Sequence, residues 1–326
     1  MTDLKLQLLD RVGKDLEAIE AALNDNLAPY LELVSKTARH ILFAGGKRLR
    51  PLLMVLCARL CGYTGDRDKT FSTIFEYLHA ATLLHDDLVD GAPVRRGKPV
   101  AHSLYGNATT VLVGDFLLAR ALSIAAETGL LAVIDTIAGI TENMSQGEIQ
   151  QLGNKGRTDL TPAEYMQTIE NKTAGLIQGA CRVGALIAGA PQHQVDALAG
   201  YGYHLGIAFQ MADDLLDYVA DSRRLGKVVG ADLREGKLTL PVIHALANAD
   251  AADRDWMLTV IEKREFSFRE FTDLVAMLER WGGLAHTKTE AARYVGEAKK
   301  RLAGFSASET RQTLQMIADY ALVRQV

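Results

Sequence analysis

The sequence predicts an all-α protein, and three observations support this prediction. Apolar residues recur at spacings of three and four along most of the chain, which is the period of a helix that buries one face. The 326 residues include only seven prolines, and no Ser- or Gly-rich tract or charge block interrupts the helical pattern. Apolar residues make up 48% of the chain, which suffices for a sizeable core. Length alone would suggest two domains, but without a linker we predict one large helical bundle over residues 1–326.

Composition and charge narrow the function classes. A net charge of −4 offers no basic field for nucleic acid. Cys57, Cys61 and Cys181 are too few and too scattered for a disulfide framework, which fits a reducing cytosol. Cys57 and Cys61 could share a helix face as half of a zinc site, but the sequence has no matching Cys or His pair. We therefore expect all three to be small buried residues.

We expect neither a targeting segment nor a membrane span. Residues 1–5 are charged and lack the apolar core of a signal peptide. The two most apolar runs, 111–126 and 174–190, are broken by Asp115, Arg120 and Arg182, so we predict buried helices there. The expected location is the cytoplasm.

The first 40 residues predict two helices for packing or dimerisation, separated by Pro29. The first carries apolar residues at helical spacing, namely Leu4, Leu8, Leu9, Val12, Leu16 and Ile19. Residues 45–51 (GGKRLRP) then form a basic segment before an apolar helix. This segment is either a solvated turn or an anion site at a helix start, where free N–H groups add to Lys47 and Arg50.

A first Asp cluster (Asp86, Asp87 and Asp90) ends an apolar, helix-like run that begins near Phe75. On a helix, Asp86 and Asp90 share one face, and Asp87 nearly does. No Lys or Arg lies within one turn upstream, so the physical candidate for neutralising this charge is a hard divalent cation with oxygen ligands. A single cluster of this kind also suits a solvated helix end.

A second Asp cluster (Asp213, Asp214 and Asp217) repeats the pattern after the apolar run 205–212, and Gln210 shares its face. Two such clusters on apolar helices predict two carboxylate walls that face each other across a central deep cavity. Mg²⁺ keeps waters and binds a few carboxylates plus substrate phosphate. The pair of clusters therefore predicts a diphosphate-bearing substrate.

Further cations fit that substrate. Arg95 and Arg96 follow a turn at Pro93, and guanidinium donor forks match phosphate oxygens. Lys172 and Thr173 lie in a helix that begins after Thr161, where the lysine could also extend to the surface. The polar, Gly-rich stretch 221–237 predicts a mobile loop able to close over a phosphate site.

The chain resembles the trans-prenyl diphosphate synthases from about Gly45 to Pro241, with both Asp clusters and the basic segment in the family order. The resemblance implies the isoprenoid-synthase helical bundle, two or three Mg²⁺ ions, and isopentenyl diphosphate with an allylic diphosphate primer as substrates. We also expect a homodimer. Residues 242–326 are predicted to be C-terminal helices, with a turn at Trp281-Gly282-Gly283.

The resemblance also implies roles for individual residues. All six aspartates of the two clusters would serve the metal ions. The resemblance places Lys47, Arg50, His79 and Arg96 at isopentenyl diphosphate, and Arg95, Lys172, Thr173, Lys227 and Lys237 at the allylic site. Gln210 is also expected to bind substrate. The residues expected to be catalytic are Asp86, Asp87, Asp90, Arg95, Lys172 and Asp213. His79 could instead be a hydrogen-bonded core histidine.

Product length is predicted from the helix before the first cluster. Ala81 and Thr82 lie five and four residues before Asp86, and Leu78 lies one turn deeper. Short-chain relatives tend to place an aromatic residue here, so these residues predict an open tunnel and a long product such as octaprenyl diphosphate, for quinone side chains. A farnesyl or geranylgeranyl product is the alternative.

Three other protein classes share parts of this pattern. Glu76 and His79 match half of a di-iron bundle motif, but the second Glu-x-x-His is missing. A class I terpene cyclase would share the first Asp cluster but would lack the basic segment at residues 45–51. A non-catalytic subunit of a heteromeric synthase would typically lose one cluster, and here both are intact.

Overall fold

The structure, a computed structural model, describes residues 2–27, 30–219 and 230–323. The described chain is almost entirely helical, which confirms the all-α prediction. Its helices are α1 (Thr2–Asp25), α2 (Glu32–Leu42), α3 (Leu49–Leu60), α4 (Asp68–Val89), α5 (Ala101–Tyr105), α6 (Asn107–Ala126), α7 (Leu131–Asn154), α8 (Pro162–Ile169), α9 (Gly175–Ile187), α10 (Gln192–Val219), α11 (Ala231–Arg234), α12 (Leu240–Asn248), α13 (Ala251–Lys263), α14 (Phe268–Arg280), α15 (Gly283–Arg301) and α16 (Glu309–Val323).

Two short elements depart from the α-helical pattern. A π-helical turn, Glu170–Ala174, lies between α8 and α9, where the sequence predicts one continuous helix. The strands β1 (Val94–Arg95) and β2 (Lys98–Pro99) form an antiparallel hairpin, where the sequence predicts only a turn. Arg96 and Gly97 connect the strands with φ values of 51° and 75°, the left-handed conformation that a tight two-residue hairpin requires.

Contacts divide the chain into two compact units. Unit 1 comprises Met1–Thr141, Leu176–Gly202 and Leu302–Met316, and unit 2 comprises Glu142–Gly175, Tyr203–Arg301 and Ile317–Val326. The single domain expected for residues 1–326 therefore remains a prediction.

Helix α4 is central to the core of unit 1. It packs against α6, α3, α1 and α2 and buries large residues such as Phe75 and Tyr77 completely. The Tyr77 hydroxyl donates a 3.1 Å hydrogen bond to the carbonyl of Leu23 in α1, so its one polar atom is satisfied inside the core. The amphipathic pattern of residues 4–19 is confirmed in part, because Leu8, Val12 and Ile19 are buried, whereas Leu9 is exposed.

Unit 2 has its own apolar core, to which α12, α14 and α15 contribute. The predicted turn at residues 281–283 is confirmed, because α14 ends at Arg280 and α15 begins at Gly283. A Cβ atom at Gly283 would lie 2.1 Å from the carbonyl oxygen of Pro241, so only glycine allows α15 to approach α12 this closely.

Helix α6 bears on the expectation that no segment spans a membrane, and the cysteines bear on the expectation that none forms a disulfide. Within the described residues, α6 is the one helix whose length and mean hydropathy, 1.5, would suit a membrane crossing, a test that core helices of soluble proteins also pass. Cys57 and Cys181 are buried and Cys61 is partly buried, and none forms a disulfide. The cysteines are therefore the small, largely buried residues that the sequence predicts.

Candidate functional site

The basic segment before α3 is held in place by hydrogen bonds from Arg48. Arg48, with a left-handed φ of 47°, is 5% exposed and donates hydrogen bonds of 2.6 Å to both Glu20 and Glu76, and one of 2.5 Å to the carbonyl of Leu42. Two carboxylates thus compensate the buried charge, which would otherwise be costly. Lys47 on one side of Arg48 is exposed, and Arg50 on the other is partly exposed.

The hairpin brings a second arginine pair to the basic segment. A Cβ atom at Gly46 would lie 3.1 Å from Nη1 of Arg48 and 3.4 Å from Nη1 of Arg96. Two guanidinium groups therefore approach the bare backbone of Gly46. The two cationic segments that the sequence predicts separately lie together in unit 1.

His79 lies within this concentration of positive charge. Burial lowers the pKa of His79 well below its usual value, and the charges of Arg50, Arg96, Arg95 and Arg48 lower it further. The imidazole is consequently neutral at physiological pH. Arg48 and Arg95 are paired with carboxylates, and Arg50 and Arg96 bring two further guanidinium groups, whose donors match the oxygens of a phosphate anion.

The first Asp cluster divides between two faces of α4. His79, Thr82, Asp86 and Asp90 are partly exposed and follow one another at helical spacing, as the sequence predicts for Asp86 and Asp90. Asp87, by contrast, is only 2% exposed. The accessible carboxylates of this cluster are therefore Asp86 and Asp90.

Asp87 instead forms an ion pair with Arg95. Nε of Arg95 lies 2.7 Å from Oδ1 of Asp87. Burial raises the pKa of Asp87, and Arg95 opposes that shift. Oδ2 of Asp87 is buried and has no hydrogen-bond partner in the part of the chain that the structure describes. A predicted metal ligand and a predicted diphosphate ligand are thus paired with each other.

The residues predicted to set product length also lie on α4. Ala81 is 0% exposed and Leu78 is 1% exposed, so both contact packed core. Thr82 is partly exposed, on the same face as Asp86. Of the three predicted residues, Thr82 is the one on an accessible face.

Unit 2 contains a cavity of about 180 Å³ at the π-turn. The polar residues in its wall include Lys172, Thr173, Gln210, Asp214, Asp232 and Lys237. Lys172 is held by Glu148 and by Gln151, whose Oε1 accepts a 2.8 Å hydrogen bond from the ammonium group. Lys237 pairs with Glu235 at 2.6 Å. The cavity thus gathers four of the predicted substrate-binding residues, and Lys227, with most of the predicted loop, lies outside the described residues.

A chain of hydrogen bonds links the π-turn to the second Asp cluster. The Thr173 hydroxyl donates to Oε1 of Gln210 (2.9 Å), and Nε2 of Gln210 donates to Oδ1 of Asp214 (2.8 Å). The Tyr165 hydroxyl donates to Oδ2 of Asp214 (2.5 Å). Burial raises the pKa of Asp214 to about 7, although the hydrogen bonds from Tyr165 and Gln210 each lower it.

The three aspartates of the second cluster have different surroundings. Asp213 is exposed, and Asp214 is 3% exposed. Asp217 accepts the backbone N–H groups of Ala231 and Asp232, one on each carboxylate oxygen and both at 3.1 Å. Asp217, which is partly exposed, thereby stabilises the start of α11, and Asp213 is the most exposed carboxylate of this cluster.

Several residues of the site are absent from the sequence prediction. Glu148 and Gln151 are i and i+3 on α7, a spacing that could have indicated a shared partner. Tyr165 and Asp232 gave no such signal. Asp232 lies at the cavity, and burial followed by repulsion from Asp214 and Asp217 raises its pKa well above the usual value.

The accessible carboxylates suit a hard divalent cation. Asp86, Asp90 and Asp213 offer oxygen ligands of the type that Mg²⁺ prefers. Over residues 2–27, 30–219 and 230–323, no three Asp, Glu, His or Cys side chains form a closed metal cage. Mg²⁺ does not require such a cage, because it retains waters and uses substrate phosphates as ligands. The carboxylates that each unit offers are therefore of the type that suits the expected ion.

Comparisons with known proteins agree with this chemistry. The polyprenyl synthetase family profile matches residues 31–278. Octaprenyl diphosphate synthase of Escherichia coli (strain K12) is 40% identical over 251 residues, which cover 77% of this chain and 78% of that protein. Geranylgeranyl diphosphate synthase of Methanosarcina mazei is 33% identical over 327 residues, which cover 98% of this chain and 99% of that protein.

A solved structure extends the similarity to the fold. The crystal structure of polyprenyl synthase from Caulobacter crescentus CB15, complexed with calcium and isoprenyl diphosphate, matches with a TM-score of 0.91 and 38% identity. The match covers 98% of this chain and 97% of that chain. The chain therefore belongs to the polyprenyl synthetase family, and it is a trans-prenyl diphosphate synthase with the helical isoprenoid-synthase fold.

Proposed function

We propose that this enzyme adds successive isopentenyl diphosphates to an allylic diphosphate primer and makes a long-chain, all-trans polyprenyl diphosphate, octaprenyl in our preferred case. The observation that carries the proposal is the presence of two separate groups of cations. One surrounds His79 in unit 1, and the other lines the cavity at Lys172 in unit 2. Two diphosphate substrates require two such sites.

Each group of residues has a proposed role. Lys47, Arg50 and Arg96 bind isopentenyl diphosphate, with the neutral His79 beside them. Lys172, Thr173 and Lys237 bind the allylic diphosphate. Asp86 and Asp90 in unit 1, and Asp213 in unit 2, would serve as ligands of Mg²⁺, which would neutralise charge on the departing diphosphate.

The reaction breaks the allylic C–O bond and forms a C–C bond to the isopentenyl double bond. The departing diphosphate takes the electron pair of the C–O bond, and a proton is then lost from the adduct. Apolar surroundings keep water from the electron-deficient allylic carbon. We propose the diphosphate as the proton acceptor, since no side chain near the aspartates stands out as a base among the residues that the structure describes.

A turnover assay tests this function. Purified protein alone, given radiolabelled isopentenyl diphosphate, an allylic primer and Mg²⁺, should form polyprenyl diphosphate, and a chelator should stop the reaction. Chromatography of the dephosphorylated products gives their length. A cyclic hydrocarbon product would favour a terpene cyclase, and activity that appears only with a second protein would favour a heteromeric subunit.

We propose a homodimer that uses the outer face of α6. On this helix Val111 is 42% exposed, Leu112 66% and Leu122 42%, so apolar surface is open to solvent along its length. Sedimentation should show that the wild-type protein is a dimer and that Leu112→Glu is a monomer. The control is Ser123→Glu, at an exposed position on the same helix, which tests whether added charge alone has this effect. A monomeric wild-type protein would refute the proposal.

We also propose that the enzyme is cytoplasmic, which its uninterrupted helical pattern and scattered, unpaired cysteines support. After cell fractionation, the protein should remain in the supernatant at high salt. Recovery in a membrane fraction that resists alkaline washing would contradict this location.

A further inference from the structure

The π-turn Glu170–Ala174 is the structural feature that presents Lys172 and Thr173 to the cavity. Its defining bond runs from the N–H group of Gly175 to the carbonyl of Glu170, five residues earlier. π-turns are rare, and they insert one extra residue into a helix, frequently at functional sites. Because each helical residue turns the chain by about 100°, one extra residue changes which face the following side chains occupy.

Two glycines allow the flanking helices to touch this turn. A Cβ atom at Gly206 in α10 would lie 2.6 Å from Cα of Ala174 and 3.0 Å from its Cβ. A Cβ atom at Gly147 in α7 would lie 2.8 Å from Cβ of Asn171 and 3.2 Å from the backbone N of Lys172. Neither glycine has a left-handed φ, so backbone conformation does not require them. A mid-helix glycine costs about 1 kcal/mol relative to alanine, and the close contact with the turn offsets that cost.

Polar contacts come from the same faces of the same helices. On α10, the Tyr203 hydroxyl donates a 2.5 Å hydrogen bond to Oε1 of Glu170, and Gln210 accepts one from Thr173. On α7, Glu148 and Gln151 hold the ammonium group of Lys172. Each helix therefore fixes the turn by one glycine contact and by side-chain contacts next to it.

We propose that Gly147 and Gly206 are positioning residues for the allylic diphosphate, acting through the π-turn. This inference rests on the proposed binding roles of Lys172 and Thr173. A methyl group at either position pushes the turn away from its helix and displaces both side chains together. Displacements of about 1 Å at a substrate-orienting group can cost up to about 100-fold in rate.

The test uses Gly147→Ala and Gly206→Ala, with Gly153→Ala on α7 as the matched control, because a Cβ atom at Gly153 meets nothing within 4 Å. We expect the KM for the allylic primer to rise about tenfold or more in both test variants. The KM for isopentenyl diphosphate should be unchanged, and Gly153→Ala should behave as wild type. A fall in kcat with both KM values unchanged would mean that the glycines serve stability only, and would overturn the proposal.

Two further variants test the proposal even if the alanine variants do not fold. Tyr203→Phe adds no bulk and removes the bond to Glu170, so it should fold and raise the allylic KM by about threefold. An unchanged allylic KM in folded Tyr203→Phe overturns the proposal even where the alanine variants do not fold. Lys172→Ala distinguishes a failure of the proposed function from a failure of this inference. An unchanged allylic KM in Lys172→Ala would refute the proposed role of Lys172. A raised allylic KM in Lys172→Ala, together with a normal allylic KM in the glycine variants, would refute only the role of the glycines.

Discussion

The hydroxyl of Tyr165 donates a 2.5 Å hydrogen bond to Oδ2 of Asp214, and this bond distinguishes Asp214 from the preceding Asp213. With Gln210 on its other oxygen, Asp214 has both carboxylate oxygens occupied inside the protein. Asp213 is exposed. Two adjacent aspartates of one motif thus differ, since one is buried with hydrogen bonds to both of its oxygens and the other is exposed.

The difference predicts distinct effects of Asp213→Ala and Asp214→Ala. Asp213→Ala should abolish turnover with little change in the melting temperature, as should Asp86→Ala in the first cluster. Asp214→Ala should also lower the free energy of unfolding, because each buried donor left without an acceptor costs about 1–3 kcal/mol. Steady-state kinetics and thermal melts measure the two effects.

Asp273→Ala provides the control, because Asp273 is exposed on α14 and is not among the proposed site residues. Turnover close to wild type in Asp213→Ala or Asp86→Ala would be incompatible with the proposed metal ligands. An Asp214→Ala protein as stable as Asp213→Ala would show that the bond from Tyr165 contributes nothing to folding.

Lys47→Ala should affect one substrate selectively. Lys47 is exposed on the basic segment, whereas its neighbour Arg48 is buried between two glutamates. Loss of a charge-assisted contact should weaken isopentenyl diphosphate binding by about 1.5–3 kcal/mol, seen as a raised KM. Lys172→Ala should raise the KM for the allylic primer instead. Equal effects of either variant on both substrates would argue against two separate sites.

Local patterns in the sequence predict the helices and the two clusters, but not which carboxylates are accessible. Helical spacing correctly places Asp86 and Asp90 on one face. Arg48 looks like its cationic neighbours, and only tertiary structure pairs it with Glu20 and Glu76. Asp217 likewise cannot be recognised as a helix-capping residue, because its partners follow 14 and 15 residues later.

The π-turn and the hairpin are likewise not predicted from local patterns in the sequence. Propensity around Lys172 favours an ordinary helix, and the extra residue is accommodated only because Gly147 and Gly206 lie in two other helices. The hairpin strands have two residues each, too few for a recognisable alternation of apolar and polar residues. The π-turn thus depends on contacts distant in sequence, whereas the hairpin is a local pairing that is too short to leave a pattern.

Acid should weaken α14 through the pKa of Glu270. The backbone N–H and hydroxyl of Ser267 each donate a 2.8 Å hydrogen bond to Oε2 of Glu270, and with Lys263 they lower its pKa from 4.5 to about 2. A carboxyl whose pKa is lower in the folded state stabilises above its unfolded value and loses that contribution as pH falls towards the folded one. Wild-type stability should therefore decline more between about pH 5 and pH 2 than that of Glu270→Gln.

Thermal melts of both proteins across this pH range measure the difference. Exchange of the exposed Glu262 for Gln serves as the control, because Glu262 lies on α13, outside the contact between Ser267 and Glu270. Parallel pH profiles for wild type and Glu270→Gln would show that the charge on Glu270 does not stabilise this helix start.

The product-length prediction depends on which face of α4 meets the growing chain. Five residues before Asp86, Ala81 is 0% exposed, and Leu78 is 1% exposed. Thr82 is partly exposed on the face of Asp86, and its hydroxyl donates a 2.9 Å hydrogen bond to the carbonyl of His79. A chain that extends from a diphosphate near Asp86 therefore meets Thr82 before it meets the other two residues.

Paired phenylalanine variants distinguish an open tunnel from packed core. Ala81→Phe inserts a ring where no space is accessible, so we expect a loss of about 1–3 kcal/mol in stability from overpacking, with product length unchanged. Thr82→Phe places the ring on the accessible face, within about one helical turn of Asp86, and should give a stable enzyme with farnesyl or geranylgeranyl products. Product chromatography beside thermal melts checks both. A stable Ala81→Phe enzyme with shortened products would place the tunnel along Ala81, and full-length products from stable Thr82→Phe would exclude the Thr82 face.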